Sequence, residues 1–132
     1  MTSPDINGRF PLHYAALEDD VVSATKLLDA GADPNVADRD GFTPLHFAAQ
    51  ARAKRVAQLL LDRGAELDST NTYGNTPLLV AVFNSGGNGD VIKLFRARGA
   101  DPFRENNNGQ TPIGLARLIA NYDVAQFFQD LP

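Results

Sequence analysis

The apolar residues of this chain come in short clusters at helical spacing, separated by polar stretches rich in glycine and asparagine. Leu45, Ala48 and Ala49 stand at i, i+3 and i+4, which is one face of a short helix. The chain reverses around 50–53, and Val56, Ala57, Leu59 and Leu60 give a second amphipathic helix. Thr43 is placed to cap the first helix and Pro44 to open it, where a missing N–H costs nothing. Gly64 follows the second helix and suits a left-handed C′ position. Residues 65–73 then cross to the next glycine as an extended turn. Such helices are too short to stand alone, since isolated helices below about 12–15 residues are marginal in water.

The unit is written several times. Residues 38–49, D-R-D-G-F-T-P-L-H-F-A-A, hold its clearest copy. Gly8-Arg9-Phe10-Pro11-Leu12-His13 precedes that copy by 33 residues, and Gly74-Asn75-Thr76-Pro77-Leu78-Leu79 follows it by 33. Gly109-Gln110-Thr111-Pro112-Ile113-Gly114 comes 35 residues later. A second motif keeps the same phase: Gly31-Ala32-Asp33, Gly64-Ala65-Glu66 and Gly99-Ala100-Asp101. A fixed period of this length marks a repeat architecture.

T-P-L-H-x-A-A at a 33-residue period resembles the ankyrin repeat. The resemblance implies an all-α fold, an ankyrin-repeat solenoid of four stacked helix-turn-helix repeats joined by β-hairpin loops. Each hairpin finger is expected to stand roughly perpendicular to the helices. The repeats fall at 8–40, 41–73, 74–108 and 109–132 of a single domain spanning 1–132. Stacking joins the half-cores of neighbouring pairs, so stability becomes a sum of repeat and nearest-neighbour terms.

Departures from the pattern carry their own expectations. Residues 1–7 read as a short frayed lead-in. Phe10 stands where the capping Thr belongs, a loss of about 1 kcal/mol at that helix start. The second helix of the first repeat is predicted from Val22 or Ser23 to Ala30, with Leu27 and Leu28 inward. The third repeat carries two extra residues in Asn84-Ser85-Gly86-Gly87-Asn88-Gly89-Asp90, which read as a flexible inter-helix loop. This loop lacks the Lys-Ser/Thr pair of a P-loop. Insertions in repeat arrays map to one face, often the binding face. In the fourth repeat Gly114 replaces the motif His and Arg117 the second Ala. A last helix is predicted over 123–130, with Val124, Phe127 and Phe128 on the core and Gln126, Gln129 and Asp130 in water. That helix reads as a C-terminal cap, and with Met1 at the other end the chain is expected to be complete.

Composition narrows the function classes. With 43% apolar residues the chain can bury a core. It has no cysteine, so it holds no disulfide scaffold, thiolate zinc site or cysteine nucleophile. That fits a reducing compartment, and a cytoplasmic location is expected. No apolar run approaches the length of a membrane span, and residues 1–5 do not begin a secretory signal. Net charge is −4, with eight acids and three bases in 1–40 against eight acids and nine bases in 41–132. The one basic cluster, Arg52, Lys54 and Arg55, reads as a solvated turn and makes no stripe for nucleic acid.

Candidate chemistry is sparse. His13 and His46 share the fourth place of the motif, where the resemblance implies an imidazole bonded to backbone and Thr groups of adjacent repeats. The rival reading, a small-ligand or metal binder using His13 and His46, requires both rings to be accessible. Asp33, Glu66 and Asp101 follow the helix-ending glycines, and Asp38 and Asp40 lie in a turn, which Asp favours. No nucleophile motif occurs. No enzyme activity, cofactor or metal is expected.

Repeat arrays present an extended concave surface. In the ankyrin family it is built from the finger tips and the exposed side of each first helix. The resemblance carries this role to Arg9, Arg39, Asp40, Phe42, Thr72, Tyr73, Asn75, Asn107 and Asn108 on the fingers, and to Gln50, Phe83 and Asn84 on the helices. Phe42, Tyr73 and Phe83, flanked by Arg9, Arg39 and Asp40, have the composition of a binding hot spot. The three rings are expected to lie outside the core; the competing reading packs each on its own finger stem. The expected function is a non-enzymatic protein-binding module, monomeric when free. Its compact form suggests a stoichiometric binder or inhibitor, such as a bacterial toxin-neutralising immunity protein, or else a scaffold or regulatory subunit.

Overall fold

The computed structural model describes residues 3–132; Met1 and Thr2, the start of the expected lead-in, lie outside the described residues. Among the described residues there are seven α-helices and one 3-10 helix, and no strand. The helices are α1 (Pro11–Leu17), α2 (Val21–Asp29), α3 (Pro44–Gln50), α4 (Lys54–Asp62), α5 (Pro77–Asn84), α6 (Asp90–Ala97) and α7 (Pro112–Leu118), with the 3-10 helix at Val124–Phe128. α1, α3, α5 and α7 stack in one row, and α2, α4 and α6 form a second row behind it.

Each front-row helix opens on Pro, and the preceding Thr caps three of them. Thr43, Thr76 and Thr111 Oγ1 accept the backbone N–H of His46, Leu79 and Gly114. Phe10 makes no such bond, as expected from its side chain. Ala16, Ala48, Ala49 and Ala81 are buried where the rows meet, small enough to let the helices close up. Leu12, Leu45, Leu78, Leu60 and Phe95 fill the continuous core between the rows.

Neighbouring repeats also complete each other's helix ends. α4 has no side-chain cap of its own. Asp19, held at a left-handed φ of 51° in the first repeat, reaches across so that its Oδ1 accepts the N–H of Val56, 2.9 Å away. Arg52 occupies the matching place one repeat on and donates from Nη1 to Ser85 O at 3.3 Å.

Two expectations change at the C-terminal end. The last element is the short 3-10 helix at Val124–Phe128, where a helix over 123–130 was predicted. Val124 and Phe128 are buried and Phe127 is half-buried, while Gln126, Gln129 and Asp130 are exposed. Arg96 pins the segment, donating to both Asp130 oxygens at 2.7 and 2.8 Å and to Phe127 O at 2.9 Å. The loop after α5, expected to be flexible, is packed. Gly89 is buried so tightly under the Phe127 ring that a Cβ would overlap it, and Gly87 lies against Tyr122. Asn88 N–H donates to Ser85 O, and Asn88 Oδ1 accepts from Asp90 N–H, both at 2.9 Å. The two extra residues make a seat for the cap.

Candidate protein-binding surface

Each finger is a tight turn closed by one acidic or amide side chain. Asp38 Oδ1 accepts the N–H groups of Asp40 and Phe42, both at 2.9 Å. Asn71 does the same for Tyr73 and Asn75, and Asn106 for Asn108 and Gln110. Asp5 holds Asn7 and Arg9 likewise, so residues 5–7 belong to the first finger and are not frayed. Two backbone bonds per finger close each turn, such as Asp38 N–H to Phe42 O at 2.9 Å and Gly41 N–H to Asp38 O at 3.1 Å, too few for a strand ladder. Successive fingers are tied along the stack: Arg39 N–H donates to Asn7 O, Thr72 N–H to Asp40 O, and Asn107 N–H to Tyr73 O.

The histidines belong to this frame. Both are 0% exposed. His13 Nδ1 accepts Phe10 N–H and Nε2 donates to Phe42 O on the next finger, each at 2.9 Å. His46 Nδ1 accepts from Thr43 N–H and hydroxyl, and Nε2 donates to Asn75 O at 2.8 Å. Both nitrogens of each ring are thus committed, and burial holds both imidazoles below the ordinary histidine range. A metal or small-ligand site built on His13 and His46 is ruled out by this arrangement. The third and fourth repeats carry Leu79 and Gly114 at the same place. Asparagines knit that junction instead, with Asn106 Nδ2 donating to Asn75 Oδ1 and Asn107 Nδ2 to Thr72 O, both at 2.9 Å.

The predicted surface residues separate into three groups. Phe42, Gln50, Asn75, Phe83 and Asn84 come together in an open groove of about 390 Å³ beside α3, α5 and α7. A second groove of about 350 Å³ shares Phe83, Asn84 and Leu115 with it and runs on to Ile119 and Tyr122. Arg39, Asp40, Thr72, Tyr73, Asn107 and Asn108 are exposed along the finger tips. Arg9 lies apart, paired with Asp38 at 3.4 Å and placed 4.9 Å over the Phe47 ring.

The aromatic trio is not uniform. Phe83 is 66% exposed and Tyr73 55%. Phe42 is half-buried, which corrects the expectation that it stands outside the core. Its carbonyl is held by His13 and its N–H by Asp38, and its ring stacks on Phe47 at 5.3 Å. Packed against the core, it forms a wall of the groove. Sequence reasoning missed the half-buried groove residues Leu115 and Asn106, and the buried Leu79 and Val80 that form the groove floor. Asn106 had a signal: Asp5, Asp38, Asn71 and Asn106 recur at spacings of 33, 33 and 35, three residues before each finger glycine.

Among the described residues no helix is long and apolar enough to cross a membrane. A family model described as ankyrin repeats (3 copies) matches residues 12–106. The match ends before the fourth unit, whose second helix is replaced by the 3-10 cap. No similar sequence is found among curated proteins. Ankyrin repeats are in general protein–protein interaction modules, typically without chemistry of their own. The matched repeats, the stacked helix pairs and the histidine-tied fingers place this chain in the ankyrin-repeat family.

Proposed function

We propose that this protein is a stoichiometric binder of another protein, acting as its inhibitor, with the grooves beside α5 and α7 and the adjoining finger tips as the docking face. A toxin-neutralising immunity protein is one form such an inhibitor takes; a scaffold or regulatory subunit is the alternative. The observation behind the proposal is the exposure of Phe83 (66%), Leu118 (71%) and Tyr122 (52%) toward the C-terminal end of the front row. Large rings and branched apolar chains left in water mark a protein interaction site. The exposed Tyr73 adds a fourth on the fingers.

The test is an affinity capture from cells that express the protein, using wild type beside a Tyr73→Ala, Phe83→Ala variant. Both side chains are exposed, so thermal unfolding should be unchanged while the captured partner is lost. An inhibitor gives a one-to-one complex in light scattering and lowers the partner's activity on titration. A scaffold bridges two partners and leaves their activities alone. Equal capture by the variant would remove the docking face from this reading.

A further inference from the structure

We infer that the groove between α3, α5 and α7 takes an extended peptide segment with no charged side chains, about five or six residues long. This rests on the protein-binding reading above and adds the chemistry of the partner. The sequence carries 12 basic and 16 acidic residues, yet none of the residues lining either groove is charged. A charged side chain entering the groove between α3, α5 and α7 would give up its water and meet no charged lining residue. A neutral occupant loses nothing of that kind.

The lining also says how such an occupant is held. Gln50, Asn75, Asn84, Asn106 and Gln110 place five carboxamides among Phe42, Leu79, Val80, Phe83 and Leu115. A carboxamide offers a donor and an acceptor side by side, the complement of a peptide group. Asn106 is committed at both ends, to its finger and to Asn75, whereas Asn84 and Gln110 are oriented through one end and keep the other free. Asn84 Nδ2 donates to Val80 O at 2.9 Å, and Gln110 Nε2 to Thr111 O at 3.2 Å. Among the described residues, Asn84 Oδ1, Gln110 Oε1 and the whole Gln50 amide have no partner within the chain. Side chains already fixed lose little freedom on binding. A helical partner satisfies its own peptide groups and would leave these amides unpaired. An extended one exposes a peptide donor and acceptor at each residue, and every second side chain points into the groove toward Leu79, Phe83 and Leu115.

Length follows from the architecture. The groove runs from Phe42 in the second repeat to Leu115 in the fourth. Packed helices lie about 8–10 Å apart, so two steps cover about 16–20 Å. An extended chain rises about 3.3 Å per residue.

The experiment is selection of a phage-displayed random heptapeptide library on the intact protein, followed by fluorescence polarisation with the enriched peptides. They should carry aromatic or branched apolar residues at alternate positions and no charge between them. Their affinity should hold as salt rises from about 0.05 to about 0.5 M, because no ion pair is screened. Gln50→Glu, which adds a charge without changing shape, and Phe83→Ala should each weaken them about tenfold or more with thermal unfolding unchanged. No enrichment, enrichment of charged peptides, or equal binding by both variants would overturn the inference. A native partner lost on Tyr73→Ala yet retained by Gln50→Glu and Phe83→Ala would also overturn it, while leaving the protein-binding reading intact.

Discussion

At the scale of single residues, the buried imidazoles are where the molecule meets pH. His13 and His46 are neutral in the folded state, their pKa values lowered first by burial. In the unfolded chain they take up protons near the ordinary value of about 6.5. Stability is therefore full above that value and falls as pH drops below it toward the depressed folded-state value. Urea midpoints between about pH 8 and pH 5 should show this decline, and His46→Gln should flatten it. His46→Ala should cost about 3 kcal/mol, since it strands Asn75 O and Thr43 N–H. A second residue-scale feature is Asn71, 6% exposed, whose Nδ2 has no partner among the described residues. Its counterpart Asp38 pairs with Arg9, but one repeat on the place of Arg9 is taken by Phe42. Asn71→Asp alone should destabilise, and Phe42→Arg should rescue part of the loss. A double-mutant cycle should give a coupling of about 1 kcal/mol; additive single effects would show that the pair does not form. The finger-closing role of Asp38 was hard to see in the sequence because Asp fills that place in the first two units and Asn in the last two. The oxygen matters there, and either residue supplies it. Phe42 was misread for a different reason: its neighbour Phe47 lies on the following helix, and only the folded finger brings the rings together.

At the scale of elements, the front-row helices were legible because Pro, Thr and the paired alanines mark their ends and inner faces. The second helices were nearly so: α2 begins at Val21, one residue before the earliest predicted start. The loop after α5 and the 3-10 helix were not legible. Each depends on the other across more than thirty residues, and nothing local in Gly86-Gly87-Asn88-Gly89 names Phe127 or Tyr122 as its cover. Gly89→Ala should cost about 2 kcal/mol by forcing Phe127 out of place. It should also expose the 3-10 segment to proteolysis before the helices unfold. The same substitution at Gly87 meets the Tyr122 ring less closely, but at a φ of 90° that a side chain rarely adopts. The Arg96 fork should make the cap sensitive to Asp130→Asn, read as faster amide exchange in residues 124–128. Along the second row Arg63 pairs with Asp29 and Arg98 with Asp62 through single contacts at 2.9 and 2.6 Å.

At the scale of the whole molecule, the stack is unequal along its length. α3 and α5 each pack between two front-row neighbours, whereas α1 has one. Amide exchange should be slowest in α3 and α5 and faster in α1 and the 3-10 helix, because opening at an end breaks one interface and opening in the middle breaks two. Uniform protection along the chain would mean that the repeats unfold as one unit. The candidate surface divides along the same axis. The groove lies over α3 and α5, the two helices packed on both sides, and over α7, while Arg9, offered by the resemblance as a contact, is engaged with Asp38 and Phe47 near the first finger. The family pattern supplied the positions, but which of them share a groove depends on side chains meeting across three units. The reach of Asp19 to Val56 carries a consequence for anyone who would recombine these units. The first unit supplies the cap at the start of the second unit's α4. A chimera assembled by cutting at the finger glycines would separate α4 from the carboxylate that caps its first turn. Exchange of modules is therefore cheapest when the donor of that contact travels with its recipient.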